Sequence, residues 1–239
     1  MRVPALLKRP ANSRTRVSKS TSVPAAVGGW NARDPISAMD PKDAITLDEM
    51  FPTAADVMLR KGYTIHRSNL GSQVETLMTY ASPTNADKLF AAAGTKFHTV
   101  TATGSAASTP VTGLTNARWD WEMFTTTGAT YGIAANGTDS VRYFDGSTWS
   151  AITASSGSGI PSITGIATTS LRGPAVHKNR LYFIQKDSLT VWYLPTDAVG
   201  GAATAFRLNG VASKGGYLVA LATWTLDAGV GVDDHFVSV

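Results

Sequence analysis

TYGIAANGTDSVRYFDGSTWSAIT, residues 130–153, decides how this chain is to be read. Two turn signals cut it into three extended segments. Asn136-Gly137 is the strongest short hairpin signal, because these residues tolerate the positive φ that a tight hairpin turn demands. Asp145-Gly146 turns the chain again, into STWSAIT. FDGSTW has two readings: a binding loop with a carboxylate at its tip, or a corner between strands. The corner is the expectation. An Asp before Gly accepts the turn's own N–H groups on its carboxylate, and the aromatic that follows, Trp149, packs inward.

Similar corners recur. VETLMTY (74–80) alternates between Gly71 and Pro83, and KLFAAAG and KFHTVTA flank a hairpin at Gly94-Thr95. NRLYFIQKDSLTVWYLP (179–195) reads as two strands around Lys186-Asp187-Ser188. GGYLVALATWTL (215–226) and DHFVSV (234–239) follow. VMLRKGYTIH (57–66) reads as strand, Lys61-Gly62 turn, strand. The 3.6-residue helical period is nearly absent after residue 60. Leu89, Tyr131, Leu181 and His235 each lie a few residues into a comparable strand, at spacings of 42, 50 and 54. Units of that length with four short strands each are the signature of propeller blades. The expected fold is all-β, a partial β-propeller of four-stranded antiparallel blades. A β-sandwich is the alternative, since it spaces its strands similarly.

Composition agrees. The chain has 239 residues, 43% hydrophobic and 16% charged, against roughly 25% charged in ordinary soluble domains. Abundant Thr and Gly suit strands and turns. With no cysteine, disulfides and thiolate metal sites are excluded. No stretch approaches 18 apolar residues, so no transmembrane helix is expected. Leu6 and Leu7 run directly into Lys8-Arg9-Pro10, unlike a signal peptide.

Charge divides the chain. Seven basic residues (Arg2, Lys8, Arg9, Arg14, Arg16, Lys19, Arg33) precede the first acid, Asp34; the remainder carries 14 basic against 17 acidic residues, a formal −3. Residues 1–27 are expected to be an extended basic arm, either solvated or docked on an acidic neighbour or nucleic acid. No aromatic precedes Trp30, so contact with DNA would be to phosphate. Residues 28–72 form an N-terminal strand and turn segment in which Asp34-Pro35 and Asp40-Pro41 signal turns or a helix start. Residues 73–239 are expected to hold the blades, incomplete at the C-terminus.

No catalytic constellation emerges. FDGSTW misses the Asp-box of sialidase-type propellers by one residue, since there Asp and Gly are separated. DAGVGVDDH (227–235) offers Asp227, Asp233, Asp234 and His235, but glycines occupy 229 and 231, where a calcium loop needs oxygen ligands. The expectation there is a glycine loop leading into a strand. His66, His98, His177 and His235 form no zinc pattern. There is no GxSxG or P-loop; Gly229-Val230-Gly231 lacks a third glycine and a following helix. Asp40, Asp43, Asp48 and Glu49 cluster without a nearby aromatic platform and read as a solvated or interface-facing run. A paired-carboxylate glycosidase remains an alternative on sequence alone, because separation in space is not visible there. No catalytic, cofactor-binding or metal residue is assigned, and no cofactor is expected.

Four blocks, in order, carry a resemblance: GWNARDPISAMDPKDAITLDEMFPTAADVMLRKGY, NGTDSVRYFDGSTW, KNRLYFIQKDSLTVWYLP and GGYLVALATWTLDAGVGVDDHFVSV. Together they resemble virion proteins of short-tailed, podovirus-type bacteriophages, the tail nozzle or tail-tube family, over residues 28–239. The resemblance implies a non-enzymatic, propeller-containing subunit of a homo-oligomeric ring, commonly a hexamer, below the portal and adaptor. Its neighbours would be other tail proteins, with transient non-specific contact to genomic double-stranded DNA during ejection. It implies a place in the virion tail after assembly in the host cytoplasm. Family members are longer, and a propeller needs at least four blades to close. The missing blades would then belong to a longer chain or another polypeptide, or the arrangement stays open. The rival expectation is a receptor- or carbohydrate-binding propeller in which Trp30, Trp119, Trp121 and Trp224 stack on sugars. Exposed tryptophans favour that reading and buried ones the nozzle.

Overall fold

The computed structural model describes residues 19–105, 108–212, 214–227 and 232–239, with backbone only for 226, 227, 232 and 233. Most of the expected basic arm, residues 1–18, lies outside the described residues. The chain divides into Met1–Thr64 and Ile65–Val239.

In the first unit, Gly29–Trp30 pairs in parallel with Asp43–Ala44, and Ile36–Ala38 forms a single 3₁₀ turn directly after Pro35. Met50–Pro52 pairs antiparallel with Val57–Leu59. The hairpin expected around Lys61-Gly62 is therefore displaced. Its turn lies at Thr53–Asp56, where the Thr53 hydroxyl oxygen accepts the Asp56 N–H at 3.0 Å. Closing the turn on a side-chain cap outcompetes a Lys-Gly corner that offers none. Among the described residues of this unit only Gly29 is buried.

The second unit contains three four-stranded antiparallel sheets, each a meander in chain order apart from a short insertion in the third. The first sheet comprises Val74–Tyr80, Lys88–Ala93, Lys96–Thr99 and Ser108–Val111. The second comprises Asp120–Thr125, Thr130–Ala135, Arg142–Phe144 and Trp149–Ala151. The third comprises Leu171–His177, Arg180–Gln185, Thr190–Tyr193 and Thr204–Arg207. A hairpin, Leu221–Asp227 with Val232–Ser238, follows. Leu89, Tyr131, Leu181 and His235 each fall in the second strand of their sheet, so the expected register holds. The division at Thr64/Ile65 falls ahead of the expected 72/73 boundary, because His66 and Arg67 join the second unit. The His66 ring lies 2.7 Å from the Val100 carbonyl and Arg67 bridges Gly104.

The first strands of successive sheets lie beside one another: Val74–Tyr80 by Asp120–Thr125, then by Leu171–His177, then by Leu221–Asp227. Strand alternation sends one set of side chains towards each neighbouring sheet. Between the first and second sheets, Met78, Tyr80, Phe90, Phe97, Trp119 and Phe144 are buried together. Between the second and third, Phe124, Ile133, Tyr143, Leu171, Leu181 and Phe183 form the largest cluster. A four-stranded sheet cannot hide both faces alone; each neighbour supplies the cover. Among the described residues this succession does not close on itself.

Candidate functional site

The FDGSTW corner is a corner. Asp145 Oδ1 accepts the N–H groups of Ser147 at 2.8 Å and Thr148 at 2.7 Å, and Oδ2 accepts the Thr148 hydroxyl at 3.0 Å. Burial alone would push the Asp145 carboxyl up, but these donors outweigh it and hold it below the usual carboxylate range. Every oxygen is occupied by the turn itself. Trp149 is half-buried, its ring packed on Phe97 at 4.9 Å and Phe90 at 5.1 Å across the gap between the first two sheets.

The acidic run at 40–49 is likewise local. Asp40 accepts the Lys42 N–H at 2.8 Å, Asp43 accepts the Asn31 amide at 2.7 Å, and Glu49 takes both oxygens to Arg60 at 3.0 and 3.1 Å. In the 227–235 loop, residues 228–231 and the side chains of Asp227 and Asp233 lie outside the described residues; Asp234 Oδ1 accepts the Thr225 hydroxyl at 2.7 Å. Among the described residues no group of three His, Asp or Glu side chains could hold a metal ion. His98 is buried with Nδ1 3.1 Å from the Thr109 hydroxyl; burial and Lys96 hold its pKa below the ordinary value. The tryptophans divide. Trp119 is 4% exposed and Trp121 half-buried, its indole donating to the Thr79 carbonyl, while Trp30 is 69% and Trp224 61% exposed.

The site that sequence reasoning missed lies between the second and third sheets, where their first strands begin. A cleft of about 390 Å³ is lined by Asn116, Arg118, Asp120, Asn136, Thr138, Arg172 and Lys186. Its scaffold is made of turns. Asn116 Oδ1 accepts the Arg118 N–H at 3.0 Å, and Asn136 Oδ1 accepts those of Thr138 at 3.0 Å and Asp139 at 2.7 Å. The Asn136-Gly137 turn is thus an Asx turn leading into a connection that ends at Arg142, longer than the tight hairpin turn expected there. Gly137 (φ 68°) donates to the Leu171 carbonyl, and its missing Cβ makes room for the Lys186 stem. Across the cleft Asp120 Oδ2 accepts the Gly173 N–H at 2.9 Å and stands 3.6 Å from Arg172 Nε. Three cations thus face one carboxylate already engaged by its neighbours. No sequence signal marks them, because Arg118, Arg172 and Lys186 are far apart in the chain and meet only through the adjacency of the first strands.

Comparison with protein-family models, curated proteins and solved structures finds no match to this chain. The functional reading therefore rests on the residues and their arrangement.

Proposed function

We propose that this chain is a non-enzymatic structural component of a short-tailed bacteriophage tail, a nozzle or tail-tube subunit forming part of the genome-ejection channel. The observation that supports it best is the succession of four-stranded meanders with their first strands side by side, starting at Val74, Asp120, Leu171 and Leu221. We read these as blades of a partial propeller about an axis, with the 221–238 hairpin beginning a fourth. The ordered resemblance of four sequence blocks to the tail family points the same way.

In this reading the work is done by shape. A channel wall must let a duplex slide, so a near-neutral or acidic body suits it better than a continuous basic lining, which would bind phosphate and slow passage. The formal −3 of the chain beyond Arg33 fits that demand. The basic arm would lie across a neighbouring subunit of a homo-oligomeric ring, a hexamer by resemblance, or on the adaptor and portal above. The test is imaging of assembled tails carrying a tag on this chain. Density forming a ring around an axial channel is expected; a peripheral position would overturn the reading.

A second reading, a receptor- or carbohydrate-binding tail propeller, is favoured by the exposure of Trp30 and Trp224. It predicts glycan binding that Trp224→Ala abolishes. The nozzle reading predicts none.

A further inference from the structure

We propose that the cleft between the second and third sheets is a binding site for a phosphate group, carried by a free phosphate ester or by a nucleic-acid backbone. The inference goes beyond the structural role above and does not depend on it.

The lining has no apolar or aromatic side chain. That argues against an apolar ligand, and against a neutral sugar, which binds best against an aromatic face. A cation is excluded by charge. The one carboxylate, Asp120, already serves the Gly173 N–H and Arg172, and three cations surround it. An anion remains. Arg118 and Lys186 have no ion-pair partner among the described residues, so their charge is free to be satisfied by a ligand. The neutral groups add donors: the Asn116 oxygen is committed to its own turn, which leaves its NH₂ group available, and Thr138 offers a hydroxyl.

Geometry separates phosphate from carboxylate. One guanidinium fork saturates a carboxylate. Here the cations arrive from three elements, the 116–118 turn, the start of the third sheet at Arg172 and the turn at Lys186. Approach from several sides suits a tetrahedral anion with oxygens pointing in different directions. The frame is also set in advance. The Asx turns at Asn116 and Asn136 fix the backbone, and the Lys186 stem lies over Gly137, where an added Cβ would stand 3.2 Å from its Cδ. Pre-ordering of this kind reduces the entropy lost on binding.

The experiment uses the full chain and two probes, inorganic phosphate and a short double-stranded DNA. Thermal melting in increasing phosphate is compared with chloride at matched ionic strength. Wild type should show a saturable stabilisation by phosphate that the double variant Arg118→Gln/Lys186→Gln lacks, while its melting temperature in chloride is unchanged. These side chains are exposed, so the variant is expected to fold. A control, Lys42→Gln, should keep the phosphate response, and Arg118→Lys/Lys186→Arg should restore most of it. Duplex binding followed by anisotropy distinguishes the sources. A loss of about tenfold or more in the double variant assigns the site to backbone phosphodiesters, as expected for two lost charge-assisted contacts. Unchanged duplex binding with a lost phosphate response assigns it to free phosphate esters. No saturable phosphate response in wild type, or the same response in the double variant, overturns the proposal.

Discussion

The gap between the first and second sheets and the gap between the third sheet and the 221–238 hairpin are built from the same kinds of side chain and end up differently. In the first, four strands face four. Tyr80 and Phe90 each meet the Phe144 ring edge-on at 4.9 Å, Phe97 meets Trp119 at 5.0 Å, and all five are buried. In the second, four strands face two. Phe236 reaches over Tyr182 at 4.5 Å and His177 at 5.1 Å, but Tyr182 and Tyr193 stay half-buried and Phe206 is 57% exposed. A cleft of about 370 Å³ runs along them. The outer strands, Thr190–Tyr193 and Thr204–Arg207, have no counterpart in the hairpin. Burial here follows how many strands stand opposite.

The largest expected effect tests the covered gap. Phe144→Ala should lower unfolding stability by about 3–5 kcal/mol in denaturant titration, the range for truncating a buried aromatic. A loss under 1 kcal/mol would mean the first two sheets do not depend on their packing. Phe236→Ala, in the half-covered gap, should lose only about 1–2 kcal/mol, since less apolar area leaves the interior. Equal losses for the two variants would break the comparison.

The corner at Asp145 sharpens it from the rim, where Gly146 lies against Tyr80 and Asn85. Asp145→Ala should lower stability by about 1 kcal/mol at neutral pH. The folded carboxyl sits below its unfolded pKa, so its contribution is present above the unfolded value and fades as the pH falls through the folded one. Wild type and variant should therefore converge in acid. Glu122 should give the smallest effect, with the opposite sign. It shares a face with Ile133 and Tyr143, and burial holds its carboxyl above the usual range. The folded state then binds the proton more tightly, so stability declines as the pH rises between the unfolded and folded values. Glu122→Gln should flatten that decline in a pH series of melts; an unchanged slope would place the titration elsewhere.

How much of this was legible in the sequence differs by strand. The second strands of each sheet announce themselves by apolar runs between Gly- or Asp-bearing turns. The first strand of the third sheet, LRGPAVH, does not, because Gly173-Pro174 reads as a break. The structure absorbs the pair in a bulge, shifting register between Arg172 and Ala175 with Gly173 at φ 55°. STPV at 108–111 and TAFR at 204–207 are short edge strands with little alternation to read, and Pro110 is tolerated at such an edge. The basic cleft was invisible for a different reason. Its residues carry no spacing rule and depend on which strands stand side by side.

Amide hydrogen exchange resolved by strand in the full chain tests the account most directly. If cover by a full neighbouring sheet sets local stability, Thr130–Ala135, held between two sheets, should exchange slowest, and the bonded amides of Val232–Ser238 should exchange well before it. Equal protection of the two, or slower exchange in Val232–Ser238, would contradict it.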